Sequence, residues 1–89
     1  SGATAVSQVQ AAATQVSYDS LSRCLSATFG EIRHSVSLSV SDSNGRQMLQ
    51  KMFSDTSRFS VDLSMFAPQL CVSKVVADGD IYVNKFVNR

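Results

Sequence analysis

The chain has 89 residues, which is the length of one small domain. Hydrophobic residues make up 44% of it, enough for a core without metals or disulfides, whereas charged residues make up only 17%, against about 25% in a typical domain. Because the net charge is +1, no long-range field favours nucleic acid or an acidic membrane. Apolar runs are also too short for a membrane-spanning helix.

Apolar residues at helical spacing predict a helix over residues 3–29, ending at Gly30. Two stripes carry the pattern: Val6, Val9, Ala13 and Val16, then Tyr18, Leu21, Leu25 and Phe29. The stripes lie on different faces, so either the helix bends near residues 17–20 or an N-terminal arm leads into a better helix. Residues 1–16 are the possible arm, which is uncharged and would need a surface to pack on.

Two later segments alternate strictly between apolar and polar residues, which predicts strands over residues 34–41 and 59–65. Both have a serine-rich second face, and Pro68 ends the second strand. Between them, Asn44 and Gly45 could form a hairpin turn. The spacing of Met48, Leu49, Met52 and Phe53 favours a short helix instead.

The last segment predicts a β-hairpin, with residues 69–77 and 80–87 joined by a tight turn at Asp78-Gly79. This turn would pair Val76 with Ile81, Lys74 with Val83, Val72 with Lys85 and Leu70 with Val87 on one face. On the other face it would pair Val75 with Tyr82 and Cys71 with Phe86. Both faces are partly apolar, so one can meet the helices and the other needs a cover. The N-terminal arm or another chain would supply this cover, unless the register is wrong and no cover is needed.

Together these elements predict a single α+β domain over residues 1–89. It would contain an N-terminal helix, then strand, helix and strand, and a C-terminal hairpin. We expect a mainly antiparallel sheet of four strands with helices on one face.

Residue types with catalytic or ligand chemistry are few. His34 is the only histidine, and Glu31 at helical spacing from it is too small a set for a metal site. Cys24 and Cys71 are expected to be buried small hydrophobes, with one disulfide as the alternative. Asp78-Gly79-Asp80 resembles part of a calcium loop but is better explained by the hairpin turn. We therefore expect no catalytic residue, metal or cofactor, and no small-molecule substrate.

The sequence predicts a non-enzymatic structural or protein-interaction domain that binds itself or another subunit, for example in a viral, filament or secretion assembly. Low charge and serine-faced strands favour this function because little charge would prevent an edge strand from pairing. The candidate contact residues are Val6, Val9 and Val16 on the arm and Cys71, Val75, Tyr82 and Phe86 on the hairpin. Ordinary core packing explains all seven equally well.

Nucleic-acid binding is the alternative function. Six of the eight Lys and Arg residues are scattered through the chain and could be gathered by folding: Arg33, Arg46, Arg58, Lys74, Lys85 and Arg89. On the predicted hairpin, however, the two lysines and the rings of Tyr82 and Phe86 would lie on opposite faces, which is unfavourable for binding bases.

Overall fold

The computed structural model describes residues 14–89, which form five strands and no helix. The strands are β1 (Gln15–Asp19), β2 (Cys24–Asp42), β3 (Gln47–Asp62), β4 (Gln69–Ala77) and β5 (Asp80–Asn88). All pairings are antiparallel. The predicted α+β class is therefore wrong: the described part of the chain is all-β.

The long strand β2 organises the sheet. On one side it pairs with β3 from Cys24 to Ser41; on the other it pairs first with β1 and then with β4, which continues into β5. The β2–β3 ladder is interrupted between Thr28 and Arg33, where Gly30 has a φ of +75°. This interruption divides the sheet into two layers that share β2 and β3, and the sheet curls so that β1 contacts β5.

The core lies inside the curl. β2 contributes residues from both sides of its interruption, and their inward positions change from odd to even numbers across it. The buried apolar residues are Leu25, Ala27, Phe29, Val36, Leu38, Val40, Phe59, Val61, Leu63, Cys71, Val75 and Ala77. Rings of Phe53 and Phe59 stack with centroids 4.8 Å apart, which joins the two halves of β3.

The predicted N-terminal helix is wrong over its described part. Val16 and Tyr18 lie on β1, and Leu25 to Phe29 lie on β2, whereas Leu21 is 96% exposed in the turn between them. Asp19 stabilises this turn by accepting hydrogen bonds from the Leu21 backbone N–H and the Ser22 hydroxyl. Residues four positions apart lie on the same face of a strand as well as on the same face of a helix. The apolar spacing is therefore compatible with the strands that form.

The predicted short helix near Met48 is also wrong, because residues 47–53 belong to β3. Asn44-Gly45 lies in the turn of the β2–β3 hairpin, the alternative that the sequence allowed. A register shift at Val40/Ser41 leaves Met48 and Leu49 both half-buried. Such a bulge imitates helical spacing by bringing two consecutive residues toward the core.

The C-terminal hairpin is confirmed, including its register. All six predicted pairs occur between β4 and β5. Asp78 and Gly79 have φ values of 48° and 91°, as a two-residue type I′ turn requires at both positions. The sequence determined this hairpin because its turn and its alternation agree.

Candidate interaction surface

Four of the eight exposed large hydrophobic side chains within residues 14–89 lie together on the side of the β4–β5 hairpin that faces away from the core. We call it the outer face; its residues are Leu70, Val72, Lys74, Val76, Ile81, Val83, Lys85 and Val87. On β5, Ile81, Val83 and Val87 are 59%, 58% and 46% exposed. On β4, Val72 and Val76 are half-buried. The apolar exposure is therefore concentrated on the outermost strand.

The outer face adjoins a polar strip on β2. Ser37, Ser39 and Ser41 pair with β4 on one side and with β3 on the other, and their side chains point away from the core. Beyond this strip, Met52 of β3 is 72% exposed. The apolar patch thus ends at the serines on one side. On the other side it reaches the outer edge of β5, which pairs with no other strand of residues 14–89.

Two lysines are the only charged residues of the outer face. Lys74 is opposite Val83, and Lys85 is opposite Val72, so the cations lie diagonally within the aliphatic cluster. Within residues 14–89 neither lysine has a carboxylate oxygen within 4.0 Å. The outer face is therefore apolar and positively charged, without an internal counter-ion.

The tip of the hairpin is fixed to the bend in β2. The Asp78 carboxylate accepts hydrogen bonds from the backbone N–H groups of His34 at 3.1 Å and Ser35 at 2.9 Å. These bonds hold the pKa of Asp78 below its usual range. The Arg33 guanidinium donates to Asp80 at 2.9 Å and to the Ala77 carbonyl at 3.2 Å. The turn is therefore held by both charge and backbone contacts.

The base of the hairpin is fixed by Asn88, which is fully buried. Its Oδ1 accepts a hydrogen bond of 2.7 Å from the Tyr18 hydroxyl, and its Nδ2 donates to the Leu63 carbonyl at 3.1 Å. The Tyr18 ring also stacks on Phe86, with centroids 4.7 Å apart. Both ends of the hairpin are therefore anchored, which limits the entropy that the outer face would lose on binding.

The predicted contact residues of the hairpin lie on its inner side. Cys71 and Val75 are fully buried, and Tyr82 and Phe86 are half-buried against the core. Val16 is half-buried on β1, while Val6 and Val9 lie outside the described residues. Cys71 and Val75 therefore have no surface with which to contact a partner, and the outer face has such a surface.

The sequence predicts two partly apolar faces on the hairpin, and the predicted contact residues lie on the inner one. The sequence also indicates which face is exposed, because Lys74 and Lys85 share one predicted face and lysine is almost never fully buried. The face with the lysines was therefore the one to expect in water. Asn88 and Tyr18 were missed because their contact joins residues 70 positions apart.

Groups with reactive chemistry are dispersed. His34 Nδ1 lies 3.0 Å from Asp55 Oδ1; this hydrogen bond raises the pKa of His34, and both side chains are exposed. Cys24 and Cys71 are free, and burial raises the pKa of the Cys71 thiol. Within residues 14–89 no group of three His, Cys, Asp or Glu side chains is arranged to hold a metal ion.

An open depression of about 440 Å³ lies on paired residues of β2 and β3, just before the interruption of their ladder. It is lined by Ser26, Ala27, Thr28, Arg58, Phe59 and Ser60. Arg58 is its one ionisable lining residue, so the depression combines a cation with three hydroxyl groups.

Among the described residues, no helix is long and apolar enough to cross a membrane.

The basic residues do not share one environment. Arg33 is paired with Asp80 and Glu31, and Arg46 is paired with Asp42. Lys74 and Lys85 remain on the outer face, while the rings of Tyr82 and Phe86 lie on the inner side. Cations and stacking rings are thus on opposite faces, as the predicted register implied.

No family model matches the chain, and no curated protein matches it. Among solved structures, the fold is similar to that of a DUF3244 family protein with an immunoglobulin-like β-sandwich fold from Bacteroides vulgatus. The TM-score is 0.74 at 9% sequence identity, and the match covers 85% of this chain and 83% of that chain. It gives no support to the viral, filament or secretion role expected from composition. What it shows is the fold alone: an immunoglobulin-like β-sandwich replaces the predicted α+β domain.

Proposed function

We propose that this chain is a non-enzymatic protein-interaction domain that binds another protein chain through the outer face of the β4–β5 hairpin. The observation that carries the proposal is the exposure of Ile81, Val83 and Val87 together on one strand, at 46% or more each. Contiguous exposed apolar residues with a polar border are typical of protein-binding surfaces. The flat shape of a two-stranded face suits a protein better than a small molecule, which needs a concave site.

A double substitution, Ile81→Thr with Val83→Thr, tests the proposal. Threonine keeps the β-branched shape that a strand favours but replaces a methyl group by a hydroxyl group. Because both side chains point outward, we expect the free energy of unfolding to change by less than about 1 kcal/mol. Met52→Thr is the matched control, since Met52 is exposed on the same side of the sheet beyond the serine strip.

Binding is measured in two steps. Sedimentation velocity over a wide concentration range detects association of the purified chain with itself. A photoreactive amino acid at position 83, compared with one at position 52, then identifies a partner in the native cell, and that partner is purified and titrated. We expect the double variant to weaken the interaction at least about tenfold and Met52→Thr to leave it unchanged.

The proposal fails if the purified chain stays monomeric and position 83 gives the same crosslinked products as position 52. It also fails if the identified partner binds the double variant as tightly as the wild type. A self-association lost in the double variant would support the proposal and would identify the partner as a second copy.

A further inference from the structure

In the part of the chain that the structure describes, no strand pairs with the outer side of β5. Within residues 14–89, β5 pairs with β4 alone, and the register of the pair is unbroken from Gln69 to Asn88. In a hairpin with a two-residue turn, Ala77 and Asp80 form the first hydrogen-bonded pair, and such pairs then recur at every second residue. Ile81, Val83 and Lys85 therefore direct their backbone N–H and C=O groups away from β4.

The other two edges are less suited to pairing. β1 has only five residues. β3 is long, but its ladder with β2 shifts register twice, and Asp55 within it has a φ of 51°. A bulge and a local bend are features by which natural sheets keep an edge strand from pairing. β5 keeps an unbroken register with β4 and has no residue of positive φ, so among the described strands its edge is the one best suited to accept a further strand.

Side-chain exposure also indicates a missing neighbour beside β5. Val72 and Val76, on the inner strand of the hairpin, are half-buried because strands flank them on both sides. Ile81 and Val83, on the outer strand, are more than half exposed. A strand added next to β5 would cover their open flanks as β5 covers those of β4.

The charge of the outer face defines the chemistry of that neighbour. Lys85 lies in the middle of the free edge, and no carboxylate of the described residues lies within 4.0 Å of it. Opposite charges on adjacent strands stabilise a sheet, whereas like charges destabilise it. A second copy of the outer face would instead bring further lysines against Lys74 and Lys85.

We infer that the binding partner contributes an extended segment that pairs with the free edge of β5, with aliphatic residues beside Ile81 and Val83 and a carboxylate beside Lys85. The inference rests on the proposed function and specifies its partner. Backbone hydrogen bonds would supply affinity, and the alternate side chains would supply specificity.

A synthetic peptide tests the inference. Its length matches β5, and every second residue lies on the face beside Ile81, Val83 and Lys85: these residues are valine, except for one glutamate opposite Lys85, and the residues between them are threonine. A second peptide has lysine in place of that glutamate, and a third is the acidic peptide with alternate backbone amides N-methylated. Fluorescence anisotropy measures binding to the full chain. We expect the acidic peptide to bind, the basic peptide to bind about fivefold or more weakly, and the methylated peptide to lose binding, because it cannot complete the ladder.

Charge reversal at one position separates direct pairing from general attraction. Lys85→Glu should reverse the preference between the acidic and basic peptides. Lys74→Glu is the matched control, since it makes the same charge change on the same face one strand further from the edge. We expect Lys74→Glu to have a smaller effect, because the added strand would not be its direct neighbour.

Amide hydrogen exchange locates the peptide. In the free protein the amides of Ile81, Val83 and Lys85 should exchange faster than those of Tyr82 and Asn84, and the acidic peptide should slow exchange of the first set. The inference is overturned if the acidic peptide does not bind, if the methylated peptide or an oligonucleotide of equal charge binds equally well, or if binding leaves those amides unchanged. It is also overturned if these amides exchange slowly in the free protein and exchange fast only after residues 1–13 are deleted, because the chain itself would then cover the edge. The double substitution Ile81→Thr with Val83→Thr tests the proposed function independently of these results.

Discussion

At the scale of single residues, Asn88 joins distant parts of the chain. Its amide bonds to Tyr18 on β1 and to the Leu63 carbonyl at the end of β3, and the Arg23 side chain lies 3.4 Å from its Oδ1. The Tyr18 hydroxyl accepts in turn from the Arg89 backbone N–H. A buried amide with satisfied hydrogen bonds specifies one arrangement of these segments, since any other would leave polar groups unpaired.

We expect Asn88→Ala to lower the free energy of unfolding by about 2–3 kcal/mol, because it leaves the Tyr18 hydroxyl and the Leu63 carbonyl without a buried partner. Chemical denaturation measures the change. Asn84→Ala is the control: Asn84 is half-buried on the same side of β5, and its side chain makes no hydrogen bond within residues 14–89. Equal losses for the two variants would show that the hydrogen bonds of Asn88 do not close the fold.

Among the strands, the bend in β2 allows the β2–β3 hairpin to contribute paired strands to both layers of the fold. Gly30 has a positive φ on β2, and Asp55 has one on β3 near the same level. The break changes the parity of the inward residues, so that Phe29 and Val36 both reach the core. A regular strand would turn one half of its apolar residues toward water.

Gly30 is the residue at which this bend is most sensitive to substitution. We expect Gly30→Val to lower the free energy of unfolding by about 1–2 kcal/mol, because a β-branched side chain is unfavourable at positive φ. Gly30→Asn should cost less, since asparagine tolerates that conformation. Thermal unfolding measures which of the two variants is the less stable. If valine is tolerated as well as asparagine, the left-handed conformation is not required at the bend.

Across the whole molecule, three aspartate carboxylates stabilise the connections between strands, and that of Asp78 also bonds to a strand distant in sequence. Asp42 accepts hydrogen bonds from the backbone N–H groups of Asn44 and Arg46 in the β2–β3 turn, and Asp62 accepts from Ser64 after β3. Asp78 accepts from His34 and Ser35 of β2. These backbone hydrogen bonds hold the pKa of all three carboxyl groups below its usual range.

The fold should therefore lose stability in acid. A carboxyl group with a lowered pKa contributes its full stabilisation above about pH 4, its usual pKa, and loses it as the pH falls through the lower folded value. We expect Asp78→Asn to be less stable than the wild type at neutral pH and the difference to shrink below about pH 4. Urea unfolding at several pH values measures this. A difference that stays constant with pH would mean that the charge of Asp78 does not matter.

The sequence alone determined the C-terminal hairpin and the later strands. Asp78-Gly79 favours one turn type, and the alternation on both sides agrees with it, so the register followed from local chemistry. The serine-faced segments of β2 and β3 were likewise strands because period two has no helical interpretation.

Contacts between distant residues select strands in the N-terminal half and determine which side of the hairpin faces water. Leu21, Leu25 and Phe29 fit a helix as well as a strand, and pairing of β2 with β1 and β3 selected the strand. Both hairpin faces are apolar, and contact with a layer built from residues far away in sequence covered the side of Cys71 and Val75. Such choices depend on non-local pairing, which one segment of sequence does not contain. That pairing left Ile81 and Val83 exposed beside an open edge.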